Sequence, residues 1–259
     1  MKKRLIILMI FAAILMLTSC AAEAEVVPPR VEETAAPKET LPESLPQLEG
    51  IEKEDIAYIE YWNESADPCC PDVQFAAEED VSALFGQLKS LRRTSSNPLG
   101  EEDFAPGAGG EYVLYLFNGE KISVNFHLDC VLIGDEFYPC DSRPEYPEQP
   151  ILLRTHQPSY PTDTENIEYT AYNSTEEKYA IQLMPQVERM TKDGWEKLEY
   201  GDIGFCGTPD PFPPSNGTGI IDFFSPSWFE EMSAGTYRLS LYYFKDGEEY
   251  LISTIFTLE

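Results

Sequence analysis

The amino-acid sequence predicts a chain of two fold classes, a small α+β domain followed by an all-β sandwich. Apolar residues recur convincingly at helical spacing between Glu78 and Arg92, which predicts an amphipathic helix. The pair Asn118-Gly119 lies between two alternating runs, and such a pair is the strongest short signal for a β-hairpin. From residue 165 onward, short strand-like runs alternate with turns, which is the spacing of a β-sandwich.

The first domain is expected to span residues 51–145, with a β-rich run at 55–62 before the helix. The helix has acidic residues in its first turn and basic Arg92-Arg93 at its end, and these charges suit the helix dipole. This order of strand, helix and meander predicts an antiparallel sheet with one helix packed on it. Four further strands are predicted after the helix, as two hairpins that turn at Asn118-Gly119 and Gly134-Asp135: 112–117, 121–126, 130–133 and 136–138.

Proline marks the boundary between the domains, and we place the linker at residues 146–164. Inside it, Ile151-Leu152-Leu153 is a candidate strand edge that docks on either domain. The second domain is then expected to span residues 165–259 as a sandwich. Its predicted strands are 167–172, 178–184, 195–200, 219–224, 237–244 and 250–258.

Three short motifs of the second domain resemble those of the bacterial immunoglobulin-like domains found in Gram-positive lipoproteins. The motifs are Tyr172-Asn173-Ser174, Asp193-Gly194-Trp195 and the run 233–239, Ser-Ala-Gly-Thr-Tyr-Arg-Leu. The sequence departs from the family pattern twice, because Met232 stands where leucine is usual and Trp195 follows Gly194 without a spacer. The resemblance implies an immunoglobulin-like β-sandwich in an exported protein, with no assigned chemistry. Within that fold, Tyr237 is expected to be a buried corner tyrosine and Trp195 a core anchor.

Residues 1–19 have the three parts of a bacterial export signal. A basic start and an apolar run from Leu5 to Leu17 precede the small residues Thr18 and Ser19. The apolar run is shorter than the roughly 20 residues that span a bilayer. Leu17-Thr18-Ser19-Cys20 resembles the lipobox of bacterial lipoproteins, which implies cleavage before Cys20 and a diacylglycerol on its sulfur. The expected location is the extracytoplasmic face of the cell membrane; the alternative is an ordinary secretory signal with a chance cysteine.

Residues 20–50 are expected to be a disordered tether, because they are rich in proline and glutamate and contain no aromatic residue. The whole chain has a formal net charge of −28 at pH 7. Loss of residues 1–19, which hold basic but no acidic residues, makes the mature chain more acidic still. Such a charge argues against nucleic acid as a partner, because nucleic-acid recognition needs a basic surface.

Five cysteines remain once Cys20 carries lipid, so at least one is a free thiol or part of an intermolecular bond. The candidates for a disulfide are Cys69, Cys70, Cys130 and Cys140. Pairing about Gly134-Asp135 sets Cys130 opposite Pro139, so a direct Cys130–Cys140 bridge is off register by one. A bond from Cys69 or Cys70 to either of them is an equal alternative. A zinc site is the weaker alternative, because no CxxC spacing is present.

The sequence holds no catalytic motif that we recognise: no metalloprotease, nucleophile-elbow or phosphate-loop pattern occurs. Its two histidines, His127 and His156, lie at a strand end and in the linker. We therefore expect no cofactor, no metal and no enzymatic activity. Acidic pairs such as Glu248-Glu249 arise by chance in a chain with this many carboxylates.

The predicted role is binding or scaffolding at the bacterial cell envelope, with an unknown envelope protein or polymer as partner. The candidate binding patch consists of Tyr61 and Trp62 with Trp228 and Phe229, although each is also a candidate core aromatic. One alternative is an envelope-stress or antibiotic sensor or inhibitor, whose first domain occludes a partner. A second alternative is a hydrolase of wall polymer, which predicts a cleft with converging carboxylates.

Overall fold

The computed structural model describes residues 45–63, 71–95, 98, 109–145, 147, 149–201, 209–212, 219–230 and 232–259. These residues form three β-sheets, one α-helix and short 3-10 turns. All but one of the strand pairings are antiparallel. The prediction of a β-rich molecule with a single helix is confirmed for the described part of the chain.

The first sheet belongs to the first domain and is antiparallel throughout. Its strands are β1 (Ile56–Asn63), β2 (Val73–Phe75), β3 (Gly109–Leu116), β4 (Lys121–His127), β5 (Cys130–Ile133) and β6 (Glu136–Pro139). They lie in the order β2-β1-β3-β4-β5-β6. Both hairpins turn where the sequence predicts, because Gly119 and Gly134 take the positive φ angles of 90° and 64° that favour glycine.

Helix α1 (Glu78–Ser90) covers one face of this sheet. Val81, Leu84, Phe85 and Leu88 are buried in the same core as Ile59 of β1, as the helical spacing predicts. The first turn contains three acidic residues at the positive end of the helix dipole. Deep burial of this stripe fixes the helix on the sheet, since burying one such side chain contributes roughly 1.5–3 kcal/mol.

The folded body begins earlier than residue 51, the start that the sequence predicts. Leu45 and Leu48 are only 2% and 1% exposed and belong to the core beneath α1. Between them, the Gln47 side chain donates a hydrogen bond to the Leu132 carbonyl, 3.2 Å away. The expected tether at residues 20–50 therefore includes a terminal piece that packs in the first domain. Isolated leucines among prolines gave no local signal for that packing.

The second domain consists of two sheets that share one hydrophobic core. Its strands are β7 (Ile151–Thr155), β8 (Ser159–Tyr160), β9 (Ile167–Asn173), β10 (Tyr179–Thr191), β11 (Gly194–Lys197), β12 (Asp210–Phe212), β13 (Ile220–Phe224), β14 (Gly235–Lys245) and β15 (Glu248–Leu258). The second sheet has the order β11-β10-β14-β15-β8, with β12 also paired to β10. The third sheet has the order β13-β9-β7.

The stretch predicted as a linker, 146–164, contributes two strands to the second domain. Strand β7 pairs with β9, and β8 pairs in parallel with β15. Ile151 and Leu153 are buried in the core that the second and third sheets share, which confirms the strand and makes it part of the second domain. Proline on either side of β7 and β8 limits their length without excluding them from the sheets.

The two domains belong to one compact unit and meet across the second face of the first sheet. Ala57, Tyr58 and Ala76 pack there with Ile255 of β15. Trp195 also lies at this junction, where its Nε1 donates to the Ala57 carbonyl at 3.2 Å. The expectation that Trp195 anchors the sandwich core is therefore wrong. Trp195 lies opposite Met190 in the β10–β11 pair, and both side chains pack against the cluster at the domain junction.

Polar groups complete the junction. Arg238 forms an ion pair with Glu188 at 2.6 Å and donates to the Ala76 carbonyl at 2.8 Å. Gln74 accepts hydrogen bonds from Thr254 Oγ1 at 2.8 Å and from the Ile255 amide at 3.1 Å. The same side chain donates to the buried Glu60 carboxylate at 3.0 Å. Gln74 thus satisfies groups of both domains at once.

Replacing Gln74 with alanine should destabilise the protein by about 2–4 kcal/mol, because the buried Ile255 amide and Glu60 carboxylate each lose a partner. Urea unfolding followed by tryptophan fluorescence measures the change. Gln182→Ala, at a half-buried glutamine on β10, is the control and should change stability by less than about 0.5 kcal/mol. Equal effects of the two substitutions would contradict the bridging role of Gln74.

Candidate binding face

Exposed apolar side chains gather on the outer face of the third sheet. Ile221 is 68% exposed, Phe223 47% and Tyr172 41%. The strand period explains their position, because Tyr169 and Ala171 of β9 are fully buried and their neighbours along the strand must face outward. A cluster of exposed apolar groups on a soluble domain marks an interaction surface more often than scattered single ones do.

Strand register sets these residues in rows across the sheet. Thr170 of the central strand lies opposite both Arg154 of β7 and Ile221 of β13. In the neighbouring rows, Tyr172 lies opposite Leu152 and Phe223 lies opposite Glu168. Each row therefore carries at least one apolar side chain beside a polar or aliphatic one.

Trp228 extends this surface beyond the strand. Its ring lies 6.1 Å from the ring of Phe223 at an interplanar angle of 43°, and its side chain is half-buried. We call Tyr172, Ile221, Phe223 and Trp228 the aromatic face. The rigid β-platform beneath it means that these groups are presented with little ordering cost on binding.

A glycine makes the close approach at the end of this face possible. A Cβ atom added at Gly219 would lie 2.6 Å from Thr170 Cγ2, 2.8 Å from the Ala171 carbonyl oxygen and 2.9 Å from Tyr172 Cδ1. No side chain larger than hydrogen fits there without displacing the backbone of β9. Gly219 therefore allows the chain that enters β13 to lie this close to Tyr172 and its neighbours on β9.

A hydrogen-bonded group of polar side chains lies beside the aromatic face. His156 Nδ1 is 2.9 Å from Glu168 Oε2, and His156 Nε2 is 2.9 Å from Thr170 Oγ1. Both ring nitrogens are thereby engaged, which fixes the imidazole against the sheet. The same order of hydroxyl, imidazole and carboxylate serves nucleophilic catalysis in other proteins.

The sheet around Thr170 does not favour that chemistry. Strand β9 is paired on both sides, with β7 and with β13. Its backbone amides next to Thr170 therefore bond within the sheet, whereas acyl transfer needs amides aimed at a developing oxyanion. The arrangement suits a preorganised binding surface better than a catalytic centre.

A depression of about 470 Å³ adjoins the aromatic face and is lined by Leu152, Arg154, Thr155, His156, Thr170 and Tyr172. It shares its β7 lining with a crevice of about 240 Å³ that reaches Pro71–Gln74 of the first domain. Arg154 of the second domain reaches the first domain here, because its Nη2 donates to the Asp72 carbonyl. We call these two adjacent spaces the groove; residues of both domains line it.

The predicted patch is only partly at this surface. Tyr61 is 4% exposed and packs in the first core, where Arg143 donates to its hydroxyl at 3.0 Å. Trp62 is half-buried and donates to Glu60 at 3.1 Å. Phe229 is 5% exposed and packs on Phe224 in the core of the second domain. Trp228 alone lies on the aromatic face, and the prediction of Tyr61 and Phe229 as surface groups is wrong.

The described cysteines carry free thiols. Cys130 lies opposite Pro139, as the sequence predicts, and Cys140 Sγ is 3.1 Å from the Asp129 carbonyl oxygen and 3.0 Å from that of Ser142. This register leaves a direct Cys130–Cys140 bridge off register, as expected from the sequence, and neither candidate is in a disulfide. The other candidates, Cys69 and Cys70, lie outside the described residues, as does Cys20.

Cys140 should react slowly with iodoacetamide in the native protein. Burial, together with nearby Cys130, raises the pKa of its thiol to about 11 from an ordinary value of 9.0. At pH 8 the thiolate fraction is then about a hundredfold lower than in the unfolded chain. Peptide mapping by mass spectrometry before and after denaturation measures each cysteine separately. Native labelling of Cys140 as fast as in urea would contradict the described burial.

Groups of three or more metal-binding side chains are absent from the residues that the structure describes. No protein-family model matches the chain, and no curated protein matches it either. The aromatic face was missed by sequence reasoning, although the run 220–224, Ile-Ile-Asp-Phe-Phe, places apolar residues at adjacent positions. In a fold of two packed sheets only one face of a strand is covered, so a run of adjacent apolar residues leaves some of them exposed. These surplus apolar residues were the sequence signal for an exposed apolar surface.

Proposed function

We propose that this protein is a lipid-anchored, extracytoplasmic binding protein that recognises a component of the bacterial cell envelope through the aromatic face, without converting it chemically. The observation that carries the proposal is the clustering of Tyr172, Ile221 and Phe223 at 41–68% exposure on one rigid sheet of a strongly acidic chain. Covering exposed apolar groups of this kind with a ligand removes them from water, which lowers the free energy of the complex.

Strand order supports an immunoglobulin-like second domain. Sheets β7-β9-β13 and β11-β10-β14-β15 have the order expected for strands A-B-E and C′-C-F-G of that fold. Tyr237 is fully buried; its hydroxyl donates to the Ser233 carbonyl at 2.6 Å and accepts from the Ser233 amide at 2.9 Å. That is the bonding of a corner tyrosine at the start of strand F, four residues after its partner.

The proposed anchor rests on Leu17-Thr18-Ser19-Cys20, which resembles the lipobox. Cys20 is separated from Leu45, the first described residue of the core, by a segment rich in proline and glutamate. Among the residues that the structure describes, no helix is both long enough and apolar enough to cross a bilayer.

A wall-polymer hydrolase is the second candidate, and the hydrogen-bonded series Thr170, His156 and Glu168 is the observation that favours it. If this series were catalytic, His156→Gln would abolish turnover of peptidoglycan fragments while leaving their binding intact. The binding proposal predicts no sustained turnover by the unchanged protein in the first place. The assay therefore separates the two functions directly.

Site-specific photocrosslinking in intact cells tests the proposed function. A photoreactive residue at Ile221 should give cross-linked envelope material, whereas one at Leu251, which is exposed on the second sheet, should not. A third probe at exposed Asn118 examines the first domain. Cross-links at Asn118 alone would favour the sensor or inhibitor role, in which the first domain occludes a partner, and would overturn recognition by the aromatic face.

A further inference from the structure

We infer that the ligand of the aromatic face and its groove is a glycan chain that carries little or no net charge. This inference rests on the proposed function and specifies the chemical class of what that face binds. Its support comes from three properties of the described surface: the size of the groove, the mixture of groups along it and the local charge.

The groove has the reach of a polymer site. Its main depression, of about 470 Å³, is open to solvent, so it suits a ligand that lies along the sheet and not one that the protein encloses. Phe223 lies opposite Glu168, four positions along β9 from Tyr172, which sets the two aromatic residues about 13 Å apart along the strand. A single sugar residue cannot contact both, whereas a chain of sugars lying across the sheet can.

The groups along this path match the two kinds of surface that a sugar presents. Carbohydrate rings carry apolar C–H faces and hydroxyl-bearing edges. Tyr172 and Phe223 offer exposed aromatic rings for the faces. Between and beside them, Arg154 offers guanidinium donors and Glu168 offers carboxylate acceptors for the hydroxyls, and both side chains are exposed. His156, held on both nitrogens, keeps Glu168 in place.

The local charge favours a glycan over a polyanion, an anionic lipid surface or a basic protein as the ligand. The groove is lined by one arginine, Arg154, and one carboxylate, Asp72, and Glu168 lies beside the depression, so little net charge gathers there in a chain of formal charge −28. A polyanion or an anionic lipid surface would be repelled by the chain as a whole and would meet no basic cluster here. A strongly basic protein would find its complement on the acidic remainder of the surface instead.

Binding of defined sugars by the soluble form of the mature chain, residues 21–259 without the lipidated Cys20, tests this inference. The neutral probes are a hexamer of N-acetylglucosamine and a hexamer of glucose. Protein-free peptidoglycan, which carries carboxylates, is the charged comparison, and vesicles of anionic and zwitterionic lipid are the membrane arm. At least one neutral hexamer should bind saturably, as measured by tryptophan fluorescence. Tyr172→Ala should weaken that binding about tenfold, and Tyr172→Phe should restore it to within about twofold, because the ring is retained. Tyr250→Ala, at an equally exposed tyrosine of the second sheet, is the control.

Failure of both neutral hexamers to bind would overturn the inference, as would unchanged glycan binding by Tyr172→Ala. Binding to vesicles alone would identify the membrane as the occupant and overturn it too. If cross-links at Ile221 to an envelope protein persist while no glycan binds, the proposed function stands and the glycan is excluded. If those cross-links are absent as well, the aromatic face is not the recognition surface and both proposals fail.

Discussion

Replacing Cys20 with alanine should remove essentially all of the protein from the mature, membrane-bound fraction. The sulfur of Cys20 is the only atom to which the proposed diacylglycerol can attach, and cleavage of the signal depends on that attachment. Acyl chains contribute about 0.8 kcal/mol per buried methylene, so their loss removes the whole of the anchoring free energy. Fractionation of cells into membrane and soluble pools, with gel mobility to distinguish precursor from mature chain, measures the effect.

Cys206→Ala is the matched control, because it removes a cysteine from the mature body without touching the lipobox. This variant should fractionate like the unchanged protein. If Cys20→Ala were processed to the mature length and remained with the membrane, the lipoprotein assignment would be wrong. The positive segment and apolar run of residues 1–19 would then represent an ordinary export signal.

The double substitution Ile221→Ser and Phe223→Ser should reduce envelope binding by about tenfold to a hundredfold, as expected for removal of central apolar contacts in an interface. Both side chains are about half exposed or more, so their removal should change the free energy of unfolding by less than about 1 kcal/mol in total. Binding of the mature chain to isolated envelopes, measured by cosedimentation, gives the affinity. Urea unfolding of the same samples shows whether the fold is intact.

Tyr250→Ser with Leu251→Ser provides a control of matched chemistry, since these residues are 44% and 38% exposed on the second sheet. The control should bind the envelope as the unchanged chain does. Equal losses in the two double variants would show that general surface hydrophobicity, and not the aromatic face, governs the interaction.

Local patterns were sufficient to predict much of the secondary structure. The helical spacing of Val81, Leu84, Phe85 and Leu88 identified α1, because that stripe must be buried to be stable. Asn118-Gly119 and Gly134-Asp135 identified both hairpins, because few residues accept the backbone angles of such turns. Four of the six strands predicted from residue 165 onward lie within two residues of their observed bounds, whereas β10 continues to Thr191, beyond the predicted end at 184, and β12 was not predicted.

Long-range pairing was beyond the reach of local patterns. Nothing near Ser159–Tyr160 indicates that this short strand joins β15 in parallel, and proline-rich flanks favoured a linker instead. The domain junction was missed for the same reason. Gln74 and Trp195 become understandable only when β2 and β11 are brought beside their partners. Burial of Leu45 and Leu48 likewise depends on a surface formed by residues far along the chain.

The binding surface was only partly predictable. The sequence predicts which aromatic residues lie in strands. Which face of each strand is buried depends on how all the strands are arranged, and local sequence does not show that arrangement. Tyr61 and Phe229 therefore proved to be core residues, whereas Phe223 proved to be exposed. Of the four residues of the predicted patch, Trp228 is half-buried beside the exposed Phe223, with 6.1 Å between the two ring centroids.

A salt titration of envelope binding by the mature chain tests the central claim most directly. If the aromatic face carries recognition, the dissociation constant should change by less than about twofold between about 0.05 M and 0.5 M salt, because apolar contacts are not screened. The bound envelope material should also be recovered chemically unchanged. If the binding weakens tenfold or more across the same range, recognition by the aromatic face is contradicted. A weakening of about that size is what salt screening produces when a basic partner is attracted to an acidic surface.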